Sequence, residues 1–302
     1  MNRRHFLAAS ATLAASPLMA RIPFQSEYKP RLGFSTLGCP DWTLDQSIEF
    51  AAANGYQGIE LRGIQRELDL TKRPEFFSKK EINEVRAKMR AKKLRFTNLG
   101  SSATLHFPKG DIRDKNIDEG KRFILLAEQL GCPNIRVFPN NFLKEQTKEQ
   151  TLQLIADGLN ELGEFGMEHG VFVLIETHGD LVYLKDLEWL MKQAKHPNIG
   201  LVWDCCNMWT ITKEPPMQVY QSLKKYIFHT HIKDALLVNG QPKYVYLGKG
   251  QVPIFETIDL LVKDQFNGSF SFEWEKMWHP ELDGPELAFA DYPKAFMAHL
   301  NK

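Results

Sequence analysis

The chain has 302 residues, 43% of them hydrophobic and 25% charged, which is enough apolar material for one large globular core. A formal charge of +1 and the lack of a long basic stripe exclude the electrostatic footprint of a nucleic-acid binder. Four cysteines without a Cys-x-x-Cys spacing do not support a structural zinc site, and the adjacent Cys205 and Cys206 read as free thiols because a vicinal disulfide strains the backbone.

Met1–Ala20 has a basic start followed by an apolar, small-residue stretch ending at Ala20. Its Arg3-Arg4-His5-Phe6-Leu7 run resembles a twin-arginine export signal. That resemblance implies passage through the Tat export machinery, cleavage after Ala20 and a periplasmic location. No cysteine follows the apolar stretch, which speaks against a lipoprotein anchor, and no stable membrane span is expected after processing. Residues 21–31 read as a polar connector.

From residue 32 onward, strand and helix signals alternate. Strands are predicted at Leu32–Thr36, Gln57–Leu61, Leu94–Leu99, Asn134–Phe138, Val171–Glu176, Ile199–Asp204, Ile227–Ile232 and Ser269–Glu273. Helices are predicted at Leu44–Ala53, Ser78–Lys92, Asn116–Leu130, Lys148–His169, Leu184–Ala194, Pro216–Lys225, Pro253–Lys263 and Gly284–Leu300. Ser78 with Glu81 has capping-box spacing, and Gly131 and Gly170 follow two helix ends. Ala235–Leu247 reads as a hairpin turning at Asn239-Gly240. Eight strands alternating with eight helices predict an α/β fold, a single (β/α)8 TIM barrel over residues 32–302. An open doubly wound sheet would bring an early G-x-G-x-x-G loop, which is absent.

Four polar residues end four successive strands: Glu176, Asp204, His231 and Glu273. In a barrel these ends converge at one mouth. Three carboxylates and an imidazole form an oxygen-rich set suited to Mn²⁺ or Mg²⁺ rather than to a thiolate-seeking metal. Each residue alone has a plainer reading, as a salt bridge, a helix cap or a packed histidine; their register on consecutive strands favours metal binding. Glu60 and Arg62, ending the second strand, are predicted substrate contacts at the mouth, as is His106 after the third. His178 and Lys233 read either as substrate contacts or as structural partners. Trp42, Trp203, Trp209, Trp274 and Trp278 are candidates for an apolar wall against a sugar ring, with core packing as the alternative.

The runs Ile175-Glu176-Thr177-His178-Gly179, Trp203-Asp204, His229-Thr230-His231-Ile232-Lys233-Asp234, Leu247-Gly248-Lys249-Gly250 and Phe272-Glu273-Trp274-Glu275 resemble the sugar phosphate isomerase/epimerase family, which has a xylose isomerase-like barrel. Ketose 3-epimerases, inosose dehydratases and apurinic-site endonucleases are related to it. The resemblance implies one divalent metal ion on Glu176, Asp204, His231 and Glu273, with Mn²⁺ favoured and Zn²⁺, Mg²⁺ or Co²⁺ as alternatives. It also implies that Glu176 and Glu273 move the proton beside a carbonyl through a metal-stabilised enediolate. Many epimerases of the family place a histidine three residues after the aspartate ligand, where this chain has Asn207, a predicted substrate contact that cannot exchange protons near neutral pH. The expected activity is a sugar isomerase or epimerase acting on a free sugar or keto-sugar. A lyase or dehydratase acting on a keto-sugar or keto-glycoside is the alternative, and a non-catalytic sugar-binding barrel stands behind both. Related barrels also make a homodimer an option.

Overall fold

The computed structural model describes residues 28–302. The expected export signal and most of the connector lie outside the described residues. Where the connector becomes visible it is docked: the Tyr28 hydroxyl donates to the Phe266 carbonyl at 2.8 Å, and Arg31 forks onto the Asn267 carbonyl and side-chain oxygen at 2.7 and 2.6 Å.

The strands are β1 (Leu32–Ser35), β2 (Gly58–Leu61), β3 (Arg95–Thr104), β4 (Asn134–Phe138), β5 (Phe172–Glu176), β6 (Ile199–Asp204), β7 (Ile227–Ile232), β8 (Asp234–Val238), β9 (Gln241–Val245) and β10 (Phe270–Phe272). Eight of them close a parallel barrel in the order β1-β10-β7-β6-β5-β4-β3-β2, while β8 and β9 form a separate antiparallel hairpin. The hairpin turns at Asn239 and Gly240, both at positive φ as an Asn-Gly turn requires. Outside the barrel lie α1 (Leu44–Ala53), α2 (Lys79–Ala91), α3 (Asp111–Leu130), α4 (Lys148–Glu168), α5 (Leu184–Gln193), α6 (Cys205–Thr212), α7 (Pro216–Leu223), α8 (Ile254–Lys263) and α9 (Pro285–Leu300).

Local chemistry sets these boundaries. Thr43 and Thr147 each close a capping box, with Gln46 and Gln150, and so satisfy donors at the starts of α1 and α4. At α2 the expected box is altered: Ser78 accepts from Lys80 N–H, while Glu81 takes the Ser78 hydroxyl. Gly131 ends α3 in the left-handed conformation.

Three elements differ from expectation. Helix α3 begins at Asp111 rather than Asn116, with Asp111 and Asp114 in its first turn favoured by the helix dipole. Strand β3 runs on to Thr104 across a register shift, where the Ser101 hydroxyl donates to the Arg136 carbonyl at 2.6 Å. Helix α6 was not expected. It is short, and Asp204 caps it by accepting Asn207 N–H at 2.8 Å.

Outward-facing strand residues pack beneath the helices in one continuous core. At the closure of the barrel, Leu32, Gly33 and Phe34 of β1 pair with Phe270, Ser271 and Phe272 of β10. Helix α9 seals this seam: Phe289 stacks on Phe34 at 4.3 Å, and Tyr292 stacks on Phe272 at 4.7 Å. The Tyr292 hydroxyl donates to the Phe270 carbonyl at 3.0 Å, so a core ring keeps its polar end paired. Trp274 stacks on Phe272 in this seam at 5.8 Å and Trp203 stacks on Tyr220 at 5.8 Å, both buried as packing residues. All four cysteines are buried and free. Replacing the fully buried Phe289 with alanine empties the seam; we expect Phe289→Ala to lose about 3–5 kcal/mol of stability in urea denaturation.

Candidate metal centre

Strand alternation points every second residue into the barrel. In β5, β6 and β7 the last or penultimate inward residue is Glu176, Asp204 or His231, and Glu273 follows β10 directly. Asp204 and His231 are register partners across β6 and β7, and Ser271 pairs with His231 across β10. The four side chains therefore meet at the C-terminal mouth. Each offers one ligand atom, all lying within 4.8 Å of one another, and together they could hold one metal ion. His231 Nδ1 is 3.5 Å from Glu176, 3.8 Å from Asp204 and 3.3 Å from Glu273.

The other imidazole nitrogen fixes the ring. His231 Nε2 lies 3.0 Å from Glu60 Oε1, and Glu60 Oε2 is taken by His229 Nε2 at 2.6 Å and the Ser271 hydroxyl at 3.0 Å. Such carboxylate–imidazole contacts orient a metal-binding histidine and raise its basicity. Glu60 is thus not at the mouth as a substrate contact: it is fully buried beneath the quartet, with its oxygens spent on these partners. Glu60, His229 and His231 could be read as a second metal cluster. Their mutual hydrogen bonds already saturate the carboxylate, so the supporting role is the better reading.

Charge balance decides whether a cation fits. Four buried carboxylates, Glu60, Glu176, Asp204 and Glu273, contact only two fixed cations. Arg136 Nε is 3.1 Å from Glu176, and Lys233 Nζ is 2.9 Å from Asp204 and 2.7 Å from Glu273. Lys233 is also shared with Glu275 at 2.7 Å, so negative charge is left over that a divalent ion would offset. Glu176 Oε2, Asp204 Oδ2 and His231 Nδ1 are buried without a hydrogen-bond partner; the first two touch a cation, but not in hydrogen-bonding alignment. Uncompensated buried polar atoms are costly, and ligand atoms awaiting an ion are one physical reason for them. Asp204 is shared economically: Oδ1 caps α6 while Oδ2 faces the cluster.

The same charges set the protonation states. Burial alone would lower His231, but Glu273, Glu60 and Glu176 hold it well above its ordinary value. Burial pushes Glu273 up to about 7 against the pull of His231 and Lys233. Burial would also raise Glu176, yet His231 and Arg136 hold it below the usual carboxylate range. Lys233, which burial would lower, is kept charged by Asp204, Glu273 and Glu275.

Asn207 and Lys233 touch the quartet, the former through Nδ2, 3.4 Å from Glu176 Oε1. Arg62 is buried against Ser102 at 3.1 Å; burial and the Arg136 charge bring it down to about 9, and its Nη1 has no partner. His178 leans on Phe138 at 4.9 Å, and burial holds it below its ordinary value against the pull of the Glu176 charge. His106 is buried against Phe107 at 4.1 Å, and its Nδ1 has no hydrogen-bond partner. Sequence reasoning missed Arg136, Phe138 and Glu275. Arg136 lies over the Phe138 ring at 3.7 Å, and Glu275 accepts from Lys233 at 2.7 Å. The signal for the first two was an alternating Asn134, Arg136, Phe138 on one strand face.

The Asp234 and Gly-x-Gly runs also acquire a role. Asp234 accepts from the backbone N–H groups of Ala235, Gly248, Gly250 and Val252, clasping the loop after the hairpin. A Cβ at Gly250 would lie 2.0 Å from Asp234 Oδ1, so only glycine permits that approach.

The family model described as a xylose isomerase-like TIM barrel matches residues 48–292, and the chain belongs to that family. It is similar to a 3-dehydroshikimate dehydratase of Bacillus anthracis, 25% identical over 221 residues that cover 70% of this chain and 76% of that protein. Among solved structures it resembles an IolI protein with a bound zinc atom, with a TM-score of 0.75 at 18% identity over 90% of this chain and 98% of that one. A D-psicose 3-epimerase from Clostridium cellulolyticum H10 superposes with a TM-score of 0.67 at 18% identity, covering 90% and 97%. At these identities the two solved structures show a shared fold.

Metal binding must displace protons from His231 and Glu273. Affinity is therefore expected to fall as pH drops below about 7 and to rise above it, with protons released in calorimetric titrations run in two buffers of different ionisation enthalpy. In the metal-free protein both raised groups act in one direction: the stability contributed by Glu273 is fully present below the ordinary carboxylate range and is lost as pH rises through about 7, and that contributed by His231 is lost above the ordinary histidine range. Glu60→Gln is expected to weaken metal affinity by about 10–100-fold with the fold intact, measured by competition with a chromogenic chelator.

Proposed function

We propose that this member of the xylose isomerase-like TIM barrel family is a divalent-metal-dependent enzyme that removes the proton beside a carbonyl in a free sugar, keto-sugar or similar polyhydroxylated ketone. The observation that carries this reading is the geometry of the quartet: Glu176, Asp204, His231 and Glu273 meet at the mouth with ligand atoms within 4.8 Å of one another, and Glu273 has a lysine ammonium 2.7 Å away. A bound divalent ion would supply Lewis-acid polarisation of the substrate carbonyl.

The chain's own groups supply the rest. Glu273 takes the proton. Lys233 keeps a positive charge beside the growing negative charge, preorganised by its pairing with Asp204, Glu273 and Glu275. Arg62 Nη1 has a donor to spare for a substrate hydroxyl. The Phe138 ring, with Arg62, Arg136 and His178 around it, excludes water from one side.

Two outcomes can follow abstraction. Return of a proton to the opposite face of the same carbon gives an epimer and to the adjacent carbon an isomer, whereas departure of a β-hydroxyl or glycosidic group, protonated by Glu273 with the proton it took and leaving as water or an alcohol, gives elimination. Epimerisation asks Glu176 to act as the second proton carrier. Glu176 is held firmly ionised by His231 and Arg136, and Asn207 offers no replacement acid. This asymmetry favours elimination, as does the similarity to a dehydratase. The reading takes the substrate to be unphosphorylated, because Met1–Ala20 reads as an export signal to the periplasm.

The test is solvent deuterium incorporation and mass change on a panel of 3-keto-glycosides, keto-cyclitols and ketoses with the Mn²⁺-loaded protein. Loss of water or of a glycosidic group would indicate elimination; deuterium gained with no mass lost beyond it would indicate epimerisation. Glu273→Gln at saturating metal is expected to slow exchange by about 10²–10⁴-fold. No exchange on any member of the panel, with sugars still bound, would overturn the enzymatic reading and leave a sugar-binding barrel.

A further inference from the structure

The N-terminal end of the barrel, opposite the ligand quartet, opens into a cavity of about 550 Å³. Its walls come from the beginnings of β3, β4, β5 and β7 and from the turn leading into β10. That volume lies within the range of small-molecule sites. The charge at its rim is one-sided. Arg31, Arg95, Lys224 and Lys225 line it, and among the described residues no aspartate or glutamate does.

These cations differ in how far they are already neutralised. Lys224 is paired with Asp264 at 2.7 Å. Arg31 spends its fork on the neutral Asn267, so its charge is retained. Lys225 lies over the Tyr226 ring at 4.7 Å. Neither Arg95 nor Lys225 has a carboxylate within ion-pair distance among the described residues. Arg95 is brought down by partial burial and by the neighbouring Arg31 charge. Like charges held together at a concave, partly desolvated surface attract an anion strongly.

The floor is polar and unsatisfied. Thr97 and His229 both line it, at 7% and 1% exposure, and Thr97 Oγ1 and His229 Nδ1 have no hydrogen-bond partner. The His229 Nε2 meets the Glu60 carboxylate at 2.6 Å, so Nδ1 is the ring nitrogen left facing the cavity without a partner. A ligand hydroxyl, which can both donate and accept, can pair with that nitrogen. Phe172 and Phe228, their rings 4.7 Å apart, add an apolar wall with Phe266.

We propose that this cavity binds a small hydroxylated organic anion, with its carboxylate or phosphate held at the rim by Arg31, Arg95 and Lys225 and its hydroxyls reaching Thr97 and His229 at the floor. The site is separate from the mouth and independent of the reaction proposed there. Glu60 and His231 stand between the two, so an occupant would approach the metal centre from behind without entering it.

The experiment is isothermal titration of metal-free protein, stripped with chelator so that the mouth cannot bind through an ion. The probes are D-gluconate, D-glucose 6-phosphate, uncharged D-glucose and inorganic sulfate. Gluconate or glucose 6-phosphate is expected to bind at least about ten-fold more tightly than glucose or sulfate. Tighter binding by either one supports the site and assigns its head group. Arg95→Glu and Lys225→Glu, both at exposed positions, are each expected to weaken that binding by about ten-fold or more while thermal unfolding stays unchanged. Thr97→Val keeps the side-chain shape and is expected to narrow the advantage over sulfate. Absence of binding by both organic anions, or affinities unmoved by the two charge reversals, would overturn the proposal.

Discussion

Buried negative charge at the mouth of the barrel is the constraint on which the site depends. Glu176, Asp204 and Glu273 are all but excluded from water and meet around one imidazole. Removing several carboxylates from water is expensive unless positive charge is supplied. Lys233 and Arg136 supply part of it, and a divalent ion held by the cluster would supply the rest. The raised His231 and Glu273 follow directly, since protons take up some of the charge that no fixed cation covers.

The barrel converts this local problem into a global one. Each carboxylate sits on a different strand, so their separation is set by strand register and by closure of the sheet between β1 and β10. Closure in turn rests on aromatic packing under α9 at the far side of the sheet from the ligands. Helix α6 and the Asp234 clasp position the mouth from outside: one takes an oxygen of Asp204, and the other ties down the loop beyond the hairpin. The interior is correspondingly polar. Glu60, Arg136, His229 and His231 fill space that apolar side chains would occupy in a barrel packed for stability alone.

Much of this was legible in the chain. The alternation of strands and helices was clear because barrel strands are short apolar runs bounded by turn chemistry, and the four ligand positions stood out because each ended such a run. Arg136 was less visible, since one charged residue inside an apolar strand reads locally as an interruption. Helix α6 was hidden because Asp204 looked like the end of a strand, and its second task as a helix cap depends on a backbone direction that appears only after folding.

By itself, the sequence determined the fold class and picked out four strand-end side chains that the barrel brings together, because hydrophobic periodicity and strand-end placement are local properties. Only the tertiary structure decided how those side chains divide their work. Glu60 moved from a presumed substrate contact to the support of His231 because the barrel places it beneath that ring. Glu176 and Glu273, alike in sequence, acquired opposite protonation tendencies because one lies against Arg136 and the other is dominated by burial. The basic cavity at the opposite end draws on residues from distant parts of the chain and had no signature before the strands were brought together.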